Sequence, residues 1–266
     1  MDKNYPNKKF WTENPMTYVD FKKPLKQRLP KTKKDYQIIN KKIIRENPDF
    51  LEIIKKIKKK ITNKNVLDLG CGFGSSSIVL SKYAKKIFAI DLTLPAIKHA
   101  KKNVRLNKRK NIFLKQVDAE KMKFPKNFFD FVFSWGVIHH SSNPNKIYKN
   151  IYKNLKPNGQ FFMMVYNLYS FRYIFFSNYY LFLKRKIFKG YDYTTIGKKF
   201  TDGHYNKHYK KGEIKKILKN IGFKNIEVKV GHHRGRILPF LKSHNSFLGK
   251  FLSRRFGYFL YIYCSK

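Results

Sequence analysis

The stretch that most narrows the folds open to this chain is VLDLGCGFG, residues 66–74. Val66, Leu67, Asp68 and Leu69 form an apolar run closed by glycine, which is how a buried parallel strand appears in a sequence. Gly70, Gly72 and Gly74 then supply the positive φ angles and missing Cβ atoms that let a backbone turn hard and pass close under a ligand, before a helix starts near Ser75. Strand, glycine turn and helix start make a nucleotide site. A glycine cluster alone does not say which nucleotide.

The rest of the chain fits around that unit. Residues 1–34 are rich in Lys, Pro and Asn and read as an irregular arm, with Phe10, Trp11 and Tyr18 available to dock it. From Asp35 to Ile61, isoleucines at helical spacing predict two helices broken at Asn47-Pro48, because the residue before proline resists the α region. Strands are predicted at 65–69, 86–91, 111–116, 129–135, 160–166, 225–230 and 257–264. Helices are predicted at 75–84, 94–106, 144–155 and 211–221, with KPNG at 156–159 as a turn. Such alternation implies an α/β fold with a doubly wound, mostly parallel, Rossmann-like sheet of seven strands. One domain over 62–266, preceded by an arm and helices over 1–61, is the economical division, with an aromatic cap insertion at about 167–210.

A formal charge of +43 ordinarily points to a polyanion. Here the lysines decorate nearly every predicted helix rather than one face, so solvated surfaces set by composition are preferred to a dedicated nucleic-acid surface. Two cysteines, Cys71 and Cys264, make neither a disulfide framework nor a zinc site, and no metal is expected. MDKNYPNKKF has no apolar signal core and no long uncharged apolar stretch follows, so a cytoplasmic protein without an integral membrane segment is expected.

Asp91 ends the second predicted strand about twenty residues beyond the turn, where a carboxylate accepts both ribose hydroxyl protons. NAD and S-adenosylmethionine share that feature. Asp68, at the tip of the first strand, separates them: it would repel a pyrophosphate but attracts the ammonium and sulfonium of S-adenosylmethionine.

Beyond these two acids, VDAEKMKFP (117–125), FDFVFSWGVIHH (129–140) and LKPNGQFFMMVY (155–166) complete an ordered set that resembles class I S-adenosylmethionine-dependent methyltransferases, in particular the ubiquinone-methyltransferase-like type 11 subgroup. The resemblance covers about residues 64–166 and implies an antiparallel final strand. It further implies that Gly70, Cys71, Gly72 and Gly74 pass beneath the methionine moiety, with Asp68 on its ammonium side. Asp91 would then hold the ribose, Leu92 the adenine face, and Asp118 and Ala119 the adenine edge. An N-cap for the turn that follows is the competing role for Asp118. Ser134, Trp135 and Gly136 end the fourth strand at the ligand crevice. His139 and His140 are the candidate catalytic bases, against a role in merely bonding the loop.

SWGVIHH is not the Asn/Asp-Pro-Pro-aromatic loop of amino-methylating nucleic-acid enzymes, and no thiol stands near it for cytosine C5 chemistry. A small-molecule acceptor is therefore preferred, apolar or lipid-like, with O-methylation ahead of C-methylation. The alternatives are a tRNA wobble-uridine-type enzyme, which would make RNA a partner, and a lipid-quinone enzyme at the membrane surface. The segment 168–189 puts Phe171, Ile174, Phe175, Tyr179 and Phe182 on one helical face. It reads as a lid over the ligand edge or as a peripheral membrane contact. His204, Tyr205, His208 and Tyr209 are expected near the acceptor.

Overall fold

The computed structural model describes residues 4–16, 25–47, 49–192, 195–196, 204–231, 236–238, 241–242, 251 and 254–266. Tyr18 and much of the predicted 231–256 loop lie outside them.

The arm is not irregular. It forms helices α1 (Tyr5–Glu13) and α2 (Leu25–Arg28). Pro6 falls in the first turn of α1, where a proline lacks only an N–H that would have been unpaired and brings a φ already suited to the helix. Helices α3 (Lys33–Glu46) and α4 (Asp49–Ile61) follow, α3 opened by a reciprocal cap between Thr32 and Asp35.

The domain then runs β1 (Asn65–Leu69), α5 (Ser75–Leu80), β2 (Lys86–Asp91), α6 (Leu94–Leu106), β3 (Ile112–Gln116), β4 (Phe129–Trp135), α7 (Pro144–Asn154) and β5 (Leu155–Asn167). After the aromatic helix α8 (Phe171–Asn178) come β6 (His208–Tyr209), α9 (Lys211–Ile221), β7 (Lys224–Gly231) and β10 (Phe259–Ser265). A separate antiparallel pair is formed by β8 (Arg236–Leu238) and β9 (Leu241–Lys242). Gly222, at φ 114, ends α9 in the left-handed conformation that favours glycine.

The main sheet has the order β3-β2-β1-β4-β5-β10-β7, with β6 added beside the end of β5. The two-residue β6 is the one strand of it that sequence pattern did not reveal. β1 to β5 pair in parallel, and β10 runs antiparallel to both β5 and β7. The KPNG turn is absorbed into β5 as a bulge: Phe129 faces Leu155 and Phe131 faces Gln160, with Asn158 at φ 62 between them.

Strand alternation divides the core between two faces. Val66, Phe131, Phe133 and Tyr261 join α4 and the α5 end on one side, while Leu67, Leu69, Val132 and Ile262 join α7 and α9 on the other. Strand order reverses between β1 and β4, so their carboxyl ends open a crevice at the switch point of the sheet.

Candidate functional site

The crevice is built on the glycine turn. Gly70, Gly72 and Gly74 have φ of 78, 53 and 82, as their spacing predicted. They do different work. A Cβ on Gly70 would lie 2.2 Å from Val137 Cγ2, so this glycine lets the β1 turn meet the loop after β4. A Cβ on Gly72 meets no atom within 4 Å. Cys71 buries its side chain in the core, so it offers a ligand only main chain.

Asp68 is 1% exposed and lies under the turn rather than at its surface. Its Oδ2 accepts hydrogen bonds from Ser76 Oγ (2.7 Å) and Ser77 Oγ (2.5 Å) at the start of α5. Burial raises its pKa from 3.8 to about 6, against the lowering effect of those bonds and with a further push from Asp91. Asp91 spans the turn and the next helix. Its Oδ2 accepts from Gly72 N (3.0 Å), and its Oδ1 accepts from Thr93 N (3.0 Å) and Thr93 Oγ1 (3.1 Å). Desolvation raises its pKa too, opposed by those bonds. Three acceptor sites of a carboxylate's roughly four are thus used within the chain.

At the other end of the crevice, Leu92, Gln116 and Asp118 line a cavity of about 130 Å³ together with Lys121 and the α1 face bearing Asn4 and Lys8. Gln116 Nε2 donates to Leu92 O (3.1 Å), fixing the floor. Asp118 Oδ1 accepts from Glu120 N (2.8 Å), so it caps the short turn Ala119–Lys121 while facing the cavity. Asn7, 4% exposed on α1, holds a buried Oδ1 with no partner among the described residues.

Past β4, Trp135 packs inward against Phe50, Phe133 and Phe162, and Ser134 is fully buried with an unpartnered Oγ. Gly136, at φ 71, donates its N–H to Met164 O (3.2 Å). His139 and His140 do not stand on an open loop. They sit in the buried 3₁₀ turn Ile138–His140, their rings 4.1 Å apart, with Tyr166 4.0 Å from His139 and Trp11 of α1 5.0 Å from His140. His140 Nδ1 lies 2.7 Å from Tyr205 O. A carbonyl only accepts, so Nδ1 carries a proton. Both nitrogens of His139 are buried without partners, and desolvation holds its pKa well below 6.5.

Of the other histidines and tyrosines expected near the acceptor, His208 stacks on Tyr173 of α8 (4.0 Å) and His204 is exposed. Tyr209 is core, fully buried and accepting from Tyr148 OH (3.2 Å). It is removed from the candidates because the strand pairing of β6 turns it inward. The lid expectation for α8 also changes. Tyr173 and Ser177 of α8, with Leu181 just beyond it, form the buried face, whereas Phe175 is 63% exposed.

Sequence reasoning missed three supports. Glu120, 7% exposed, accepts at Oε1 from Ser141 Oγ (2.6 Å), Ser142 Oγ (2.7 Å) and Asn143 N (3.0 Å), fixing the segment after His140. Asn103, fully buried on α6, donates to Phe73 O (2.8 Å) in the glycine turn and to Asn40 Oδ1 (2.9 Å) on α3. Ser76 and Ser77 had a signal, a serine run at a helix start behind a strand-tip acid. Glu120 and Asn103 had none, because their partners are distant in sequence.

A β1 tip with this glycine turn, inside a sheet of this order, defines the class I S-adenosylmethionine-dependent methyltransferase fold. Residues 60–178 match the family described as a methyltransferase domain, and that part of the chain is a domain of this class. The chain is 35% identical over 115 residues to a phosphoethanolamine N-methyltransferase of Plasmodium falciparum, covering 41% of this chain and 42% of that protein. It is 27% identical over 149 residues to a ubiquinone biosynthesis O-methyltransferase of Coxiella burnetii, covering 55% and 56%, a relative compatible with the type 11 subgroup. The chain thus spans about half the length of these curated relatives. A solved SAM-dependent methyltransferase from Aquifex aeolicus superposes with a TM-score of 0.54 over 89% of this chain and 99% of that one, at 18% identity, which speaks to fold.

Proposed function

We propose that this protein transfers the methyl group of S-adenosylmethionine to a small-molecule acceptor. The observation that carries the reading is the open face of Gly72, set between the carboxylates of Asp68 and Asp91 at the switch point of the sheet. A cofactor with a cationic amino-acid end, a ribose and an adenine matches what the chain offers in order along the crevice. The Gly70–Gly74 backbone would hold the methionine end, with buried Asp68 beneath it fixing the start of α5 through Ser76 and Ser77. Asp91 would hold the ribose through the acceptor capacity left beside its bonds to Gly72 and Thr93. Leu92, Asp118 and Ala119 would hold the adenine in the cavity beside Gln116.

S-adenosylmethionine supplies an electrophilic methyl on a sulfonium, so positioning supplies much of the catalysis. Where the acceptor bears a hydroxyl, His140 is the better base of the pair. His139 is too strongly desolvated to take a proton readily, whereas His140 is oriented by its bond to Tyr205 O. The relatives named for phosphoethanolamine and ubiquinone favour a small acceptor.

The test is incorporation of labelled methyl from S-adenosylmethionine into a small-metabolite and lipid extract, against total tRNA, at about 150 mM salt where nonspecific basic binding is screened. Label in the extract is expected, and robust labelling of tRNA would overturn the small-molecule reading.

A further inference from the structure

Beyond the chemistry of the crevice, the aromatic segment after β5 presents an outer surface that the enzyme reading does not use. Helix α8 continues through one π-helical stretch, Tyr179–Leu183, to a 3₁₀ turn, Ile187–Lys189. Its inner face, Tyr173, Ser177 and Leu181, is spaced four residues apart and buried. The opposite side exposes Ile174, Phe175, Phe182, Leu183, Ile187 and Phe188, with Leu183 76% and Phe188 85% open to water. Eight of the fourteen exposed large apolar residues among the described residues fall between Tyr169 and Phe188. Scattered apolar residues on a surface need no explanation, whereas a concentration this dense does.

We propose that this segment docks the protein on an anionic lipid bilayer, with the side chains of Phe182, Leu183, Ile187 and Phe188 inserted below the headgroups. The charge around the patch selects that occupant. Lys184, Arg185, Lys186 and Lys189 are interleaved with the apolar residues, and no acidic residue occurs between Leu168 and Tyr191. None of these four cations is ion-paired to a carboxylate among the described residues. Basic side chains beside inserted phenylalanines and leucines are the combination that holds a helix in the plane of an anionic interface. RNA fits less well, because a nucleobase stacks on rings but gains little from exposed aliphatic side chains such as Leu183 and Ile187. The inner face of the same helix reaches the histidine turn through Tyr173, His208 and Tyr166, so docking would set the acceptor side of the crevice toward the membrane.

The experiment is co-sedimentation of the full chain with phosphatidylcholine vesicles, with and without about 30% phosphatidylglycerol, at about 150 mM salt. It is compared with a Phe182→Ser, Leu183→Ser, Phe188→Ser variant. These three side chains are largely exposed, so the variant keeps fold and net charge, which a matching melting temperature verifies. Retention on the anionic vesicles alone, falling about tenfold or more in the variant, is the expected result. Equal retention of variant and wild type would reduce the effect to the general basicity of the chain and overturn the proposal. No retention of the wild type would overturn it as well. So would loss of tRNA binding in the variant without vesicle binding in the wild type, which would make the patch an RNA surface. Methyl transfer is not read in this assay, so its outcome is separate from that of the proposed activity.

Discussion

Two alanine substitutions in the same turn should fail in opposite ways. Gly70 and Gly72 both have positive φ, which costs a residue with a Cβ about 1 to 2 kcal/mol. At Gly70 the new Cβ also lies 2.2, 2.6 and 2.9 Å from three atoms of Val137. Overpacking of this kind adds about 1 to 3 kcal/mol, so Gly70→Ala should destabilise the fold by about 2 to 5 kcal/mol in urea denaturation. Val137→Ala in the same chain deletes the two nearer methyls and should return part of that loss, the signature of a direct contact between the turn and the loop after β4. At Gly72 no atom lies within 4 Å, so Gly72→Ala should cost only the backbone term, about 1 to 2 kcal/mol. Its Cβ instead enters the space assigned to the methionine end, and calorimetric affinity for S-adenosylhomocysteine should fall about tenfold to a hundredfold, or about 1.4 to 2.8 kcal/mol. Unchanged affinity in Gly72→Ala would refute the placement of the ligand over this glycine. Wild-type stability in Gly70→Ala would refute the contact with Val137.

Asp68 carries a pH prediction: its folded pKa of about 6 lies above its unfolded value of 3.8, so the folded state binds the extra proton between them. Stability should be highest below about pH 4 for this group and decline by on the order of 3 kcal/mol as pH rises through 6, a decline that Asp68→Asn flattens in denaturation titrations across that window. Glu120→Ala removes the shared acceptor of two serine hydroxyls and one amide and should destabilise by about 2 to 4 kcal/mol while leaving S-adenosylhomocysteine affinity within a few fold. A variant as stable as wild type would show that the histidine turn is held by other contacts.

The glycine turn, the two strand-tip acids and the order of most elements were legible because each is a local pattern: alternation, glycine spacing, an acid at the end of an apolar run. What stayed hidden depended on distant partners. Asp68 looks from sequence like a surface acid facing a cation, and only the packing of α5 over β1 turns it down onto Ser76 and Ser77. His139 and His140 were legible as a pair, but their burial comes from Tyr166 and the arm residue Trp11. The aromatic segment had a readable helical period, but which face packs inward was not legible: Tyr173, Ser177 and Leu181 are buried, while Phe175 and Phe182 of the predicted face are exposed. The helices of the arm stayed hidden because its lysines, prolines and asparagines read together as loop, although Pro6 sits where a helix begins.

The central claim, that the crevice at the carboxyl ends of β1 and β4 binds S-adenosylmethionine with Asp91 on its ribose, is met most directly by calorimetric titration of the wild type and Asp91→Ala with S-adenosylhomocysteine and with NAD. The account predicts micromolar binding of S-adenosylhomocysteine, on the order of −8 kcal/mol, and no comparable binding of NAD. Asp91→Ala should weaken it by about 1 to 3 kcal/mol through loss of charge-assisted bonds to the ribose. Preference for NAD, or an unchanged affinity in Asp91→Ala, would contradict it.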